Sequence, residues 1–194
     1  NKPLTELVTI LTKKLNDEDV TFASNDRLRL HQQNRYYIHH LLARITDSLE
    51  TSSGMPSRFT EYIAEGKNRY EIEHIWADHP ERHTDEFTHA SDFAEYRNRI
   101  GGLLLLPKSF NGSYGDLIYT DKLPHYFGQN LLAKSLHPDC YSHNPGFIRF
   151  KDENAMPFKA HTAFKKHDLD ERQELYRQLA ELIWSPERLT KIVK

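Results

Sequence analysis

One short stretch in the middle of the chain, residues 70–76, constrains the fold more than any other. From Tyr70 to Glu73 it alternates apolar and acidic residues, and this period of two predicts a β-strand. The stretch ends by presenting the carboxylate of Glu73 beside the imidazole of His74. A strand that ends in an acid and a titratable base is a candidate carrier of chemistry.

A second stretch, residues 98–111, supplies a partner for this strand. The wholly apolar run from Leu103 to Leu106 is closed by Pro107, and it predicts a buried strand. Small and polar residues follow as far as Asn111, and they can begin a helix. The two stretches together predict strand, excursion, strand and helix, with the acid and the imidazole at the end of the first strand and Asn111 on the returning helix.

Helices are predicted on both sides of this insert because leucine and isoleucine recur there at helical spacing. The predicted helices cover residues 3–17, 34–50, 59–64, 91–99, 108–114, 120–136, 168–184 and 186–193. Residues 137–167 contain three prolines and are predicted to form a long ordered loop. The predicted fold class is therefore mainly α with a small ββα insert and a helical scaffold on both sides.

Composition limits the class of protein. The chain has 194 residues and a formal net charge of −2, so any contact with nucleic acid must come from a local basic patch or a metal ion. No apolar run approaches the roughly 18 residues of a membrane span, and no signal-peptide pattern opens the chain. The single cysteine, Cys140, excludes an intramolecular disulfide, and we predict a reducing, cytoplasmic setting. Because the chain begins at Asn1, we expect it to be cut from a longer protein.

The two stretches carry the groups that phosphodiester hydrolysis requires. His74 is the natural base, because imidazole titrates near neutral pH. Glu73 and Asn111 offer oxygen atoms to a cation, and magnesium prefers a few such ligands together with waters and substrate phosphate. We therefore predict a site for Mg²⁺ or Mn²⁺ at Glu73 and Asn111, with His74 activating water.

The same residues resemble a known nuclease motif. Glu-His-Ile at 73–75, followed by Ile-Gly-Gly-Leu-Leu-Leu-Leu-Pro-Lys-Ser-Phe-Asn at 100–111, resembles the HNH, or His-Me finger, nuclease fold in its ββα-metal form. It is similar in particular to the C-terminal domain of GmrSD-type modification-dependent restriction enzymes and of related phage-defence proteins, including the Ssp-type ones. The likeness covers residues 34–193 in general layout and is tight over residues 70–122.

The resemblance implies roles for individual residues. His74 is expected to be the general base and Asn111 a metal ligand, and a downstream family pattern falls on Asp116, Tyr119 and Lys122. The residues predicted to support the site or contact DNA are Asn98, Lys108, Asp116 and Lys122.

Each of these residues also has a plainer interpretation. Asn111 can be an ordinary turn residue, Asp116 can cap the helix that follows it, and Lys108 and Lys122 can be solvated lysines. Three histidines within residues 77–92 could suggest zinc, but we expect them to be solvated, because they lie in a predicted loop without cysteine.

One position departs from the family pattern. The family usually has asparagine directly after the first glycine before the leucine strand, and this chain has Gly102 there. Since that asparagine steadies the loop that carries the histidine, its absence puts the orientation of His74 in question. Either Asn98 or a backbone carbonyl is expected to take its place.

The function implied is a metal-dependent DNA endonuclease that nicks or cuts DNA, with modified phage DNA among its targets, in bacterial anti-phage defence. The resemblance also implies an upstream NTP-using regulatory domain of the same protein. Within one domain, we divide the chain into a helical scaffold (1–66), the ββα nuclease core (67–136) and a loop with C-terminal helices (137–194). The alternatives are a catalytically weakened DNA-binding or sensor module and a helical interaction domain.

Overall fold

The protein is mainly helical and is built around one small sheet, as seen in a computed structural model that describes residues 2–17, 22, 24–25 and 28–191. The helices are α1 (Lys2–Asn16), α2 (Arg35–Ser52), α3 (Phe59–Tyr62), α4 (Ala90–Arg97), α5 (Lys108–Tyr114), α6 (Tyr119–Tyr126), α7 (Leu131–Lys134), α8 (Pro145–Glu153), α9 (Lys166–Trp184) and α10 (Glu187–Lys191). The strands are β1 (Tyr70–His74) and β2 (Leu103–Pro107). Short 3₁₀ turns cover Gln32–Asn34, Pro80–His83, Ile100–Gly102 and Pro138–Tyr141.

The two strands pair antiparallel, from Tyr70 opposite Pro107 to His74 opposite Leu103. Leucines 103–106 are fully buried, which explains why this strand is a continuous apolar run rather than an alternating one. Helix α5 begins at the residue that follows β2. The predicted order of strand, excursion, strand and helix is therefore confirmed.

Helix α5 packs back against the sheet through Phe110. That side chain is buried, and its ring stacks on Tyr126 of α6 with centroids 5.4 Å apart. A Phe at this position fixes the rotation of the helix, and the next residue, Asn111, then lies against β1.

Helix α9 holds the turn that leads into β2. A Cβ atom at Gly101 would lie 2.4 Å from the backbone nitrogen of Gln173 and 2.6 Å from the carbonyl oxygen of Leu169, so only glycine allows this approach. The Gln173 side chain accepts a hydrogen bond from the Gly101 N–H at 2.8 Å. The next residue, Gly102, accepts a bond from the Ile75 N–H at 2.9 Å, which links the turn to the end of β1.

Two sequence predictions about the second half of the chain are wrong. Residues 137–167 contain helix α8, because Pro145 sits in its first turn and Phe147 and Phe150, three residues apart, bury the same face. Residues 120–136 form two helices, because the Asn130 side chain caps α7 by accepting from the Ala133 N–H at 3.1 Å.

The helices of the described residues include none that is long and apolar enough to cross a membrane. Helix α10 corresponds to the last predicted helix and is described as far as Lys191. The predicted end of that helix, Val193, lies outside the described residues.

Candidate active site

His74 ends β1, and its imidazole is held by the side chain of Asn98 at the end of α4. The Asn98 amide nitrogen donates to the carbonyl of Ala94 at 2.7 Å, which turns its oxygen, Oδ1, towards His74. The His74 Nε2 atom lies 3.0 Å from that oxygen and therefore donates to it. In the neutral ring the lone pair is then on Nδ1, so this nitrogen is the one that can accept a proton.

Positive charges surround the His74 ring. Burial lowers its pKa to about 4, and the charges of Arg97 and Lys122 act in the same direction against the hydrogen bond to Asn98. The imidazole is therefore uncharged at neutral pH. An uncharged ring can accept a proton, whereas a protonated ring cannot.

This lowered pKa makes the stability of the protein dependent on pH. The unfolded histidine binds a proton near pH 6.5 and the folded one only near pH 4, so the unfolded state holds more protons between these values. Stability is then lost as the pH falls through this window. In EDTA, thermal or urea unfolding should show a free energy of unfolding about 2 kcal/mol lower at roughly pH 5 than at roughly pH 7 from this residue alone.

The control for this prediction is His74→Gln, which cannot titrate and should show a shallower dependence on pH. A remaining slope is expected, because burial also lowers the pKa of His39, His83 and His161. Equal slopes for the wild type and His74→Gln between these pH values would contradict the prediction.

Asn111 lies on α5, over the outer edge of β1. Its amide nitrogen is 3.4 Å from the carbonyl oxygen of Ile72 and donates to it. Its amide oxygen, Oδ1, is buried and has no hydrogen-bond partner. An amide oxygen that is out of solvent and unpaired costs free energy unless something binds to it. This atom is therefore available to bind a cation, and the metal-ligand role of Asn111 stays a prediction.

Asn111 bonds to the outer edge of the strand that ends at His74. Along the edge of β1 that faces away from β2, three side chains bind successive carbonyls: His39 binds Tyr70, Asn111 binds Ile72 and Lys122 binds His74. Since two residues of a strand span roughly 6.6 Å, Asn111 meets the strand about that distance from His74. The Asn111 amide therefore contacts β1 two residues before His74, and the roles given to both residues remain predictions.

Glu73 points elsewhere. Successive side chains of a strand face opposite sides, and the Glu73 carboxylate, in a residue only 4% exposed, accepts from Lys122 Nζ at 2.7 Å. The Tyr126 hydroxyl lies 3.5 Å from the same oxygen. Burial raises the pKa of Glu73 and lowers that of Lys122, and their mutual attraction opposes both changes. The geometry therefore does not support Glu73 as a metal ligand, because its carboxylate neutralises a buried lysine.

The remaining predicted residues are placed as follows. Lys122 is fully buried, so it supports β1 and cannot reach a phosphate. Lys108 is exposed at the start of α5 and stays a predicted DNA contact. Asp116 is exposed and accepts from His79 Nε2 at 2.8 Å, and it caps no helix, because α6 has Ile118 as its N-cap.

The packing explains the missing asparagine at position 102. A Cβ atom at Gly102 would lie 3.2 Å from the carbonyl oxygen of Arg97 and 3.0 Å from the Leu169 side chain. A larger side chain would press against the end of α4 and against the Leu169 side chain in the first turn of α9. Asn98 performs the orienting role from the end of α4 instead, and this is one of the two outcomes expected from the sequence.

Two arginines near His74 were not identified from the sequence. Arg97 donates through Nε to the Trp76 carbonyl at 3.0 Å, and its charge is the second-largest cause of the lowered pKa of His74. Arg35, at the start of α2, lowers the pKa of both His74 and His39. The sequence could have indicated Arg97, because it directly precedes Asn98, a predicted site residue. Nothing in the sequence indicates Arg35, because only tertiary packing brings it near His74.

Other groups of polar residues have partners inside the protein. Among the described residues, His161, Asp168 and Glu171 lie close enough to hold a cation, but Lys159 already pairs with Glu171 and approaches Asp168 to 4.0 Å. Of the histidines expected to be solvated, His83 instead packs on the Trp76 ring with centroids 4.6 Å apart.

Comparison with known proteins places the chain in a family. A search of curated proteins and a search of solved structures each found no match. A family model described as "GmrSD restriction endonucleases, C-terminal domain" matches residues 15–179, a range that contains both strands, α5 and every predicted site residue. The chain therefore belongs to the family of C-terminal domains of GmrSD restriction endonucleases.

Proposed function

We propose that this domain is a DNA endonuclease of the HNH, or His-Me finger, type that works with one Mg²⁺ or Mn²⁺ ion. The observation that carries the proposal is the buried, unpaired oxygen of Asn111, whose amide bonds to β1 two residues before His74, the residue whose ring Asn98 orients. A ligand for a hard cation and a base with its lone pair fixed are the two parts that metal-assisted hydrolysis of a phosphodiester requires.

The residues at this edge fit a cation of this kind. Asn111 would hold it through Oδ1, together with waters and the substrate phosphate, which is the coordination that magnesium favours. When bound, the ion supplies positive charge that stabilises the phosphate and the leaving oxygen. Glu73 is left out of this ligand set because its carboxylate is engaged with Lys122.

The protein's own groups perform the proton transfer and the positioning. His74 Nδ1 takes a proton from water as the water oxygen bonds to phosphorus and the bond from phosphorus to the leaving oxygen breaks. Asn98 keeps the ring in the required tautomer and orientation. Arg97 and the exposed Lys108 add positive charge that attracts the phosphate backbone.

Membership of this family supports a proposal about the biological setting. Its description names restriction endonucleases, so we propose that DNA is the substrate and that the domain acts in cytoplasmic defence against phage, modified phage DNA included. Selection of the target and any dependence on nucleotides are assigned to an upstream NTP-using domain of the same protein. This domain alone is then expected to cut without selectivity.

The proposal is tested by incubating supercoiled plasmid with the domain in Mg²⁺, in Mn²⁺ and in EDTA. Nicked or linear product should form with either metal and disappear in EDTA. Asn111→Ala should lower the rate by about tenfold to a thousandfold, because it removes the only side-chain ligand that we assign. The control is Asn68→Ala, which changes an exposed amide in the turn before β1 and should leave the rate unchanged.

Cleavage that persists in EDTA, or that is equal in Asn111→Ala and the wild type, would remove the metal mechanism. RNA offered beside DNA checks the substrate class, and faster cleavage of RNA would replace DNA as the substrate.

A further inference from the structure

The start of helix α2 exposes two neighbouring aromatic side chains. Tyr36 is 67% exposed and Tyr37 is 71% exposed, the largest values among the exposed large hydrophobic side chains of the described residues. Two large rings side by side in solvent contribute little to the fold. Such an exposed aromatic pair is typical of a surface that binds another molecule.

The rings form an ordered array rather than two separate side chains. The Tyr36 ring lies against the His40 ring, with centroids 4.1 Å apart, because the two residues are one helical turn apart. The His40 Nδ1 atom is 3.0 Å from the Tyr36 carbonyl oxygen, and this hydrogen bond fixes the orientation of the His40 ring. The Tyr37 ring meets Tyr36 edge-on at 5.7 Å. We call Arg35, Tyr36, Tyr37 and His40 the tyrosine patch.

The helix that bears the tyrosine patch contacts the strand of the candidate active site. His39, the residue before His40 in α2, bonds through Nε2 to the Tyr70 carbonyl at 3.1 Å. The next carbonyl along the same edge of β1, that of Ile72, accepts a hydrogen bond from Asn111. Two residues of a strand span roughly 6.6 Å, so the helix that bears the patch meets β1 about one nucleotide step from Asn111.

Charge favours a nucleic-acid strand as the occupant. Arg35 is exposed at the first turn of α2, where the positive end of an 18-residue helix adds to its own charge. The field of Arg35 reaches the catalytic edge, since it contributes to the lowered pKa of His74. Exposed aromatic rings beside a positive charge are the combination that holds single strands, through stacking on bases and contact with phosphate.

We propose that the tyrosine patch is a subsite that holds the cleaved strand beside the scissile phosphate, with Tyr36 and Tyr37 stacked on unpaired bases and Arg35 on a backbone phosphate. This inference rests on the proposed function and adds to it a preference: DNA with a gap or a frayed segment binds better than a fully paired duplex. The preference follows because a ring can stack on the face of a base only where that face is not covered by its neighbour.

The test measures Kd by fluorescence anisotropy in a His74→Ala background, with a labelled duplex that contains a short single-stranded gap and with the same duplex fully paired. The parent should bind the gapped duplex more tightly. Tyr36→Ala/Tyr37→Ala should weaken binding to the gapped duplex by about tenfold or more and remove the preference for the gap. Arg35→Ala should weaken binding to both duplexes and reduce the salt dependence.

Two control variants separate stacking from other effects. Tyr36→Phe/Tyr37→Phe keeps both rings and should bind within about twofold of the parent. Phe127→Ala removes a partly exposed ring at the C-terminal end of α6 and should not change the Kd for either duplex. The melting temperatures of the tyrosine variants should agree with that of the parent, because the two tyrosines bury little surface.

Unchanged binding of the double alanine variant to the gapped duplex overturns the inference and leaves the proposed function standing, provided that the wild type still cuts DNA. A wild type that neither binds nor cuts DNA overturns the proposed function first, and the inference with it. Loss of binding in the double phenylalanine variant also overturns stacking, since the hydroxyls would then make the contact.

Discussion

Replacing His74 with alanine should lower the rate of DNA cleavage by about 10²–10⁴-fold while the protein remains folded and still binds DNA. This is the range that removal of a general base produces. The Asn98 amide fixes which nitrogen of His74 carries the proton, so the ring is prepared to accept a proton before DNA arrives. Removal of the ring leaves the metal ligand and the surrounding charges in place, so binding of DNA should be much less affected than turnover.

Single-turnover cleavage of plasmid at saturating Mg²⁺ gives the rate directly, and anisotropy gives the affinity. The matched control is His89→Ala, which removes an exposed histidine before α4 and should cut at the wild-type rate. Asn98→Ala should show an intermediate loss of about tenfold to a hundredfold, because the base remains but its orientation is no longer fixed.

The ordering of these variants is informative in itself. If Asn98→Ala cuts as fast as the wild type, catalysis does not depend on the hydrogen bond from His74 to Asn98, and the orienting role of Asn98 fails. If His74→Ala cuts within about tenfold of the wild type, another group takes the proton, and the general-base assignment fails.

Much of the centre of the fold could be predicted because its signals are local. The alternation in β1, the apolar run of β2 and the helix that follows are readable from neighbouring residues. The split between α6 and α7 was missed, because an asparagine N-cap inside a leucine-rich run looks like one more polar residue of a helix.

The pair formed by Glu73 and Lys122 could not be predicted from the sequence. The sequence suggests a metal ligand at Glu73 and a supporting or DNA-contacting residue at Lys122, and in the fold the two side chains form a buried ion pair. No spacing along the chain indicates that a lysine on α6 will lie under the end of β1. Arg35 illustrates the same limit, since only the packing of α2 on the sheet brings its charge near His74.

The second large effect concerns this buried pair. Lys122→Met should reduce the free energy of unfolding by about 3–5 kcal/mol, because it leaves the carboxylate of Glu73 buried without a counter-charge. The Lys122 ammonium also donates to the His74 carbonyl at 2.9 Å, so one edge of β1 loses a hydrogen bond. Urea or thermal unfolding measures the loss, and the melting temperature should fall by about 10 °C.

A matched control is Lys151→Met, which breaks the more exposed ion pair with Asp152 and should cost less than about 1 kcal/mol. The double variant Glu73→Leu/Lys122→Met removes both buried charges and should recover most of the stability, since an apolar pair of similar volume replaces them. A loss for Lys122→Met no larger than that for Lys151→Met would contradict the account of a buried, mutually dependent pair.

The double variant also decides the role of Glu73. If the carboxylate serves only Lys122, then Glu73→Leu/Lys122→Met should still bind Mn²⁺ and cut DNA, with a moderate loss from the missing bond to the His74 carbonyl. If the double variant is folded and stable but neither binds Mn²⁺ nor cuts, Glu73 returns to the ligand set. The site would then have to rearrange before it binds a metal, because the carboxylate must leave Lys122 to reach the face of β1 that carries His74.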